Sequence, residues 1–225
     1  MKRILALVAL GALAPALPAS AQIATRPGPW AVDLRGATSP VPQDAVFYPA
    51  LDGSALIPQR GFGVDAGAHV YLFNLGPARL GVGASVIYLR STTSAPEPVS
   101  APESEIPPPE GQDVRFSQRT VSPQVSFNFG SRNGWSYVSA GMGTVRVVTS
   151  TSGSLSGERE STGIRNVNVG GGARWFLKSH VAFTFDVRLH RWSSGTAEAM
   201  PTEPAVPEST PGKLLLTVGA GLSFR

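Results

Sequence analysis

The sequence contains no cysteine, few charged residues and no apolar run long enough for a transmembrane helix. Without cysteine, none of the 225 residues can form a disulfide bond or a thiolate metal site. Charged residues make up 15% of the chain, against about 25% in typical soluble domains. The longest apolar run, Ile4–Leu17, falls short of the ~20 residues that a spanning helix needs. The low charge indicates that much of the surface does not face water.

The first 21 residues have the order of a secretory signal peptide. Lys2 and Arg3 precede the apolar run, and Ala19-Ser20-Ala21 provides a cleavage site made of small residues. We therefore expect cleavage after Ala21 and a single mature domain, residues 22–225. Removal of the signal peptide lowers the formal net charge from +4 to about +2, and no nucleic-acid partner is expected.

Alternation of apolar and polar residues with a period of two dominates the mature chain. In Gly61–Phe73, the apolar residues alternate with a face that carries glycines, Asp65, His69 and Phe73. Most runs span about 11 to 15 residues, which exceeds a usual globular strand and is enough to cross a bilayer at a tilt. Pro123 lies within one run and predicts a bulge, because proline cannot donate to the ladder. The eight predicted strands are residues 30–36, 61–73, 79–91, 114–129, 135–149, 163–177, 181–194 and 213–225.

The connections between these strands alternate between short and long. Short periplasmic turns that alternate with long extracellular loops are typical of outer-membrane barrels. Two of the long loops, 91–113 and 195–212, together carry 8 of the 15 acidic residues and no basic residue. We expect these two loops to be solvated, either as binding or shielding surfaces or as hydrophilic spacers. The short connections are 74–78, 130–134 and 177–180, and the long ones are 91–113, 151–162 and 195–212.

The glycines of the strands indicate which face lies inside. In a soluble barrel of the lipocalin type the apolar face lines the cavity, whereas in a membrane barrel it faces lipid. A face exposed to water would normally carry threonine, lysine and glutamate, but a narrow interior needs small residues. The sequence therefore predicts a polar interior and a lipid-facing apolar exterior. The glycines on the polar face are Gly61, Gly63, Gly67, Gly81, Gly83, Gly170, Gly172, Gly219 and Gly221.

The last residues resemble the C-terminal assembly signal of bacterial outer-membrane proteins. Thr217, Gly219, Leu222 and Phe224 occupy the polar, glycine, hydrophobic and aromatic places of that signal, and Arg225 departs from its usual aromatic end. Together with the signal peptide, the strand count and the loop pattern, the mature chain resembles the OmpA/OmpX-like small β-barrel superfamily. The resemblance implies an all-β fold, an eight-stranded antiparallel up-and-down transmembrane β-barrel. It also implies a monomer in a Gram-negative outer membrane, assembled there by the barrel-assembly machinery.

Polar side chains on the inner faces of several strands form a candidate lumen network. Its functional interpretation is a catalytic or proton-relay cluster, and its structural interpretation is a set of ion pairs that fills the interior. The narrow lumen favours the structural interpretation, since buried charges must be paired and a substrate would have little room. The candidate network residues are Asp65, His69, Asn166, Asn168, Arg174, Asp186, Arg188 and His190.

The segment His190–Gly195 invites comparison with outer-membrane lipid A deacylases, which place a histidine and a serine two residues apart. Here Ser193 lies three residues after His190, so the two side chains point to opposite faces, and Ser194 is distant along the strand. We therefore predict a non-enzymatic protein with a structural or surface-interaction role and a plugged lumen. The alternatives are a lipid A deacylase-like enzyme and a secreted lipocalin-like carrier. No cofactor or metal is expected, because the glycine run at 170–172 precedes no helix and the three histidines are scattered.

Two further sets of residues mark the predicted membrane boundaries. Trp135, Tyr137 and Trp175 lie near short turns and are predicted to form a periplasmic aromatic girdle. Four arginines gather at the predicted outer rim, where they would meet outer-membrane lipid and the phosphates of lipopolysaccharide. Anchoring by snorkelling explains these arginines equally well. The four candidate lipopolysaccharide contacts are Arg90, Arg115, Arg119 and Arg191.

Overall fold

The computed structural model describes residues 28–51, 55–95, 111–131, 134–153, 155–200 and 207–225. The predicted signal peptide and its cleavage site lie outside the described residues. Residues 96–110 and 201–206 of the two acidic loops also lie outside them.

Ten β-strands and one short 3-10 helix make up the described part of the chain. No helix among these residues has the length and apolar character needed to cross a membrane. The strands are β1 Trp30–Pro40, β2 Arg60–Leu75, β3 Ala78–Thr93, β4 Gln112–Ser131, β5 Gly134–Gly153, β6 Gly157–Phe176, β7 Val181–Trp192, β8 Gly195–Met200, β9 Glu208–Thr210 and β10 Lys213–Phe224; the 3-10 helix is Ala45–Phe47.

Eight of these strands form a closed antiparallel ring. Strands β1 to β7 pair in chain order, β7 pairs with β10, and β10 pairs with β1. The seam between the first and last strands is regular, with Val32 opposite Phe224 and Thr38 opposite Val218. A closed ring leaves no free edge among its members, so the backbone groups of the wall are paired. The predicted eight-stranded barrel is confirmed.

Several strands run further than predicted at one end of the barrel. The prediction of a long loop at 151–162 is wrong, because β5 continues to Gly153 and β6 begins at Gly157. The predicted loop at 195–212 contains β8, which pairs with the outer end of β6, and β9, which pairs with β8. We call this extension the outer sheet; it consists of β8, β9 and the outer ends of β4, β5 and β6.

The ladder irregularities lie at other positions than predicted. Pro123 pairs with Ala84 in register, and the β4–β5 register is unchanged from Val121 to Gln124, so the predicted bulge is absent. The β2–β3 register shifts instead between Tyr71 and Phe73. The shift turns Phe73 outward, where it is 60% exposed, although the simple alternation placed it inside.

The barrel wall has an apolar exterior around a polar interior, as the glycine pattern predicted. Outward valine and leucine side chains such as Val64 are half exposed, whereas Asp65, the next residue, is buried. Interior glycines make room for large neighbours, since a Cβ on Gly172 would collide with the Phe185 carbonyl and the Tyr137 hydroxyl. We call the band of outward apolar side chains the apolar belt.

The end of the barrel with the short turns, called the turn end, carries aromatic side chains on both faces. Trp175 is exposed on the exterior, but Trp135 and Tyr137 are buried inside, so the girdle prediction is wrong for these two. Their inward direction follows from the register of β5, in which Trp135 pairs with Arg174. The outward aromatic residues near this end are Trp30, Phe73, Phe129, Trp175, Phe183 and Phe224.

The opposite end, called the cap end, is closed by the connection between β1 and β2. Residues 41–51 and 55–59, called the cap, fold into the mouth, and Val41 N–H donates to the Gln59 carbonyl at 3.0 Å. The Thr149 hydroxyl donates to the Phe47 carbonyl at 2.5 Å. Burial in the cap raises the pKa of Tyr48. An apolar cluster of inward residues at this end packs around the cap; its barrel members are Val114, Phe116, Val145, Val147, Ile164, Trp192 and Leu215.

Candidate functional site

All eight residues of the predicted lumen network lie inside the barrel. Each is at most 3% exposed. The fully or nearly buried charged residues of the described chain also include Asp33 and Arg35, which sequence reasoning did not assign to the network. The interior therefore holds three aspartates and three arginines, Asp33, Asp65, Asp186, Arg35, Arg174 and Arg188. Equal numbers of opposite charges make the burial of these ions electrostatically balanced.

Arg174 and Asp33 form a two-pronged ion pair across the lumen. Arg174 Nε donates to Asp33 Oδ1 at 2.9 Å, and its Nη2 donates to Oδ2 at 2.7 Å. The guanidinium also lies over the Tyr137 ring, 4.0 Å from the ring centre. This parallel geometry is the strongest form of an arginine–carboxylate contact, and it fixes both side chains.

Arg35 and Tyr137 connect a second group of charges. Arg35 Nη2 lies 2.8 Å from Asp65, and its Nη1 donates to the Tyr137 hydroxyl at 2.7 Å. That hydroxyl donates in turn to Asp186 at 2.7 Å. Arg188 lies 3.2 Å from the same carboxylate. The contacts join β1, β2, β5 and β7 across the lumen.

Amide and histidine side chains extend the network to strands β4 and β6. Gln124 Oε1 lies 3.1 Å from His69 Nε2, and Gln124 Nε2 donates to Asn168 at 3.3 Å. Asn168 accepts from Arg188 at 2.8 Å. Strand β5 has glycines at the positions beneath these amides, and a Cβ on Gly141 would collide with the Gln124 side chain. The small residues of β5 therefore let β4 and β6 make contact over it.

The geometry around His190 differs from that of a nucleophile and its base. His190 Nδ1 lies 3.2 Å from Asn166 Oδ1 inside the lumen. Ser193 Oγ instead donates to the Ser194 carbonyl at 2.8 Å and accepts from the Arg165 N–H at 3.0 Å. No group of three or more metal-ligating side chains occurs within the described ranges. His190 and Ser193 therefore do not form a nucleophile–base pair.

A row of outward arginines borders the apolar belt at the cap end. On each of six consecutive strands, β2 to β7, the first charged outward residue beyond the belt is an arginine, and all six are exposed. We call this row the arginine collar. The predicted Arg115 is also exposed but lies further out, on the outer sheet. The collar residues are Arg60, Arg90, Arg119, Arg146, Arg165 and Arg191.

The collar arginines differ in their partners. Arg146 pairs with Glu160 at 2.5 Å, and Arg90 contacts the Tyr88 hydroxyl and ring. Among the described residues, the guanidinium groups of the other four have no protein partner, which leaves them available to anions from outside the chain.

The residues of the predicted assembly signal lie on both faces of β10. Leu222 and Phe224 point outward into the apolar belt, whereas Thr217 is buried inside. Gly219 is also buried, and a Cβ there would contact Arg35. Arg225, which departs from the usual signal, lies 3.7 Å from the Phe176 ring centre and helps to fill the turn end.

Comparison with known proteins gives structural likeness only. No family model and no curated protein sequence matches the chain. Similar solved structures include Ail, the attachment invasion locus protein of Yersinia pestis, in complex with the heparin analogue sucrose octasulfate (17% identity, 87% of this chain and 97% of that chain, TM-score 0.46). The structure also resembles Neisserial surface protein A, with 12% identity over 88% of this chain and 97% of that chain and a TM-score of 0.48. It resembles the outer membrane protease OmpT from Escherichia coli as well, with 11% identity over 74% of this chain and 64% of that chain and a TM-score of 0.43. These identities assign no activity to the chain.

Proposed function

We propose that the chain is a monomeric outer-membrane β-barrel with a structural or surface-interaction role and no catalytic activity. The observation that supports this proposal best is the inverted wall, in which three ion-pairing aspartates and three arginines are buried while valine, leucine and phenylalanine face outward. In water such an exterior would be unfavourable, but acyl chains solvate it. The apolar belt then lies in the membrane.

The lumen has the features of a plug rather than a channel. Arg35, Tyr137 and Arg174 reach across it and bind side chains of opposite strands. An eight-stranded barrel has an interior just wide enough for its own side chains. We therefore expect negligible ion conductance.

The arginine collar supports a role in holding outer-leaflet lipid. Arginine binds phosphate through two parallel hydrogen bonds, and its guanidinium is always charged. Four unpaired guanidinium groups next to the apolar belt suit the phosphates of lipopolysaccharide. Arg90, Arg119 and Arg191 belong to this collar, and Arg115 would meet the sugar region beyond it.

The rival functions find less support. A lipid A deacylase-like enzyme would need a serine within reach of His190, and that ring instead contacts Asn166 in the interior. A lipocalin-like carrier would need an apolar cavity at mid-barrel, where this chain has its ion pairs.

The decisive experiment is fractionation of expressing cells combined with heat-modifiability on a gel. We expect the protein in the outer-membrane fraction, soluble only in detergent, with different mobility before and after boiling. Recovery without detergent would refute the membrane assignment. Lipid A profiles with the wild type and with His190→Ala separately test the enzymatic rival, and a wild-type-dependent loss of acyl chains would overturn the non-enzymatic assignment.

A further inference from the structure

A large groove on the outside of the barrel lies at the arginine collar between β6 and β7. Its volume is about 980 Å³, within the range of pockets that hold small ligands. The residues that line it and carry the argument are Met142, Arg165, Val167, Arg191, Ser194 and Leu214. We call it the β6–β7 groove.

The groove arises where the regular β6–β7 ladder ends. The last regular pair is Asn166 opposite Trp192. Beyond it, the Ser193 N–H donates to the Arg165 carbonyl at 2.8 Å. The Arg165 N–H donates to the Ser193 hydroxyl at 3.0 Å, where a regular ladder would offer a backbone carbonyl. These local departures open the exterior wall just at the collar.

The chemistry of the groove changes from apolar to cationic along the barrel axis. On the belt side, Met142, Val167 and Leu214 are 71%, 52% and 65% exposed. On the collar side, Arg165 and Arg191 have no side-chain partner in the described part of the chain. A third cation, Lys213, is neutralised by Asp44 of the cap. The groove therefore presents two free positive charges above an apolar floor.

We propose that the β6–β7 groove seats one phosphate-bearing lipid of the outer leaflet, with its phosphate on Arg165 and Arg191 and an acyl chain along Val167. This rests on the proposed function, because it takes the collar to lie at the level of lipid phosphates. Arg119, another collar arginine without a partner among the described residues, borders a smaller cavity of about 300 Å³. The cavity beside Arg90 is about 390 Å³, and Arg90 already contacts Tyr88. Of these three cavities at the collar, the β6–β7 groove combines the largest volume with two arginines that have no partner among the described residues.

Native mass spectrometry of the purified barrel in mild detergent tests this seat. The probe is diphosphoryl lipid A, compared with the same lipid without phosphates. We expect the wild type to retain one phosphorylated lipid and the double variant Arg165→Gln with Arg191→Gln to bind it about tenfold more weakly. The comparison variant, Arg90→Gln with Arg119→Gln, removes two charges from the same collar outside the groove and should weaken retention of the lipid clearly less.

A second variant separates charge from shape. Val167→Trp fills the apolar floor while leaving both arginines in place, and it should also weaken retention of the phosphorylated lipid. Equal weakening of lipid retention by the two double variants would refute the proposed lipid site in the groove and would indicate that the collar arginines act together. Equal retention of phosphorylated and dephosphorylated lipid by the wild type would overturn the collar itself. Normal binding by Val167→Trp would refute the placement of an acyl chain.

Discussion

Replacing Arg174 with methionine leaves the Asp33 carboxylate buried without its main partner. Both side chains are fully buried, and the pair is joined by two hydrogen bonds of 2.9 and 2.7 Å. Removing one member of a buried ion pair typically costs about 3–5 kcal/mol, because the other charge stays in a poorly solvating interior. Arg35 Nη1 lies 3.6 Å from Asp33 and supplies part of the lost attraction. We therefore expect a loss of about 3 kcal/mol for Arg174→Met.

The measurement is equilibrium unfolding in urea of the barrel folded into lipid vesicles, followed by the gel mobility shift. The double variant Asp33→Leu with Arg174→Met should be more stable than Arg174→Met alone, since it removes the stranded charge. Arg119→Met is the matched control; its guanidinium is exposed, so a change within about 0.5 kcal/mol is expected. A loss below about 1 kcal/mol in Arg174→Met, or additive losses in the double variant, would refute the reasoning.

Three further changes test other parts of the structure. Gly172→Val places a branched side chain against the Phe185 carbonyl and should lower the unfolding free energy by about 1–3 kcal/mol. Gly36→Ala is the control, because a Cβ there has space, and it should change the unfolding free energy little. Equal effects of the two changes would contradict this account. Thr149→Val removes the hydroxyl that holds the Phe47 carbonyl and should speed protease cleavage within the cap, with a stability loss of about 1 kcal/mol, and unchanged cleavage would show that the bond does not hold the cap. Tyr137→Ala removes a ring from the lumen and should raise single-channel current in planar bilayers above the negligible wild-type level, and porin-like wild-type currents would refute the plug.

The period-two alternation was sufficient to predict the ring, but its outer parts escaped prediction for a physical reason. In β1, Val32 and Leu34 alternate cleanly with Asp33 and Arg35 because one face carries the apolar belt and the other lines the lumen. Beyond the collar the apolar belt ends, and residues 151–162, which are mostly polar on both faces, were interpreted as a loop. The hydrogen bonding of β6 with β5 and β8, rather than hydrophobicity, holds these residues in strands.

The period-two alternation predicted which residues face the lumen, but it did not predict which of them form ion pairs or hydrogen bonds with one another. Asp65 and Arg188 lie on the faces that alternation gave them. The partner of Arg174 is Asp33, 141 residues earlier, and no local pattern relates the two. Tyr137 was predicted to belong to the exterior aromatic girdle because it lies near a short turn, but the β5–β6 register turns it inward. The arginine collar has a sequence signal, since the first outward charge beyond the belt is an arginine on β2 to β7, but this signal is visible only once the strand registers are known.

The distribution of partners along the chain has a consequence for the order of assembly. Asp33 of β1 finds its main partner, Arg174, on β6, 141 residues later in the chain, whereas Arg35 pairs with Asp65 on the neighbouring strand β2. A partly assembled sheet of the first strands would carry Asp33 without Arg174, while its other face already carries part of the apolar belt. The Asp33–Arg174 pair therefore forms only when the wall curves round and closes, so closing the barrel also completes its interior ion pairs.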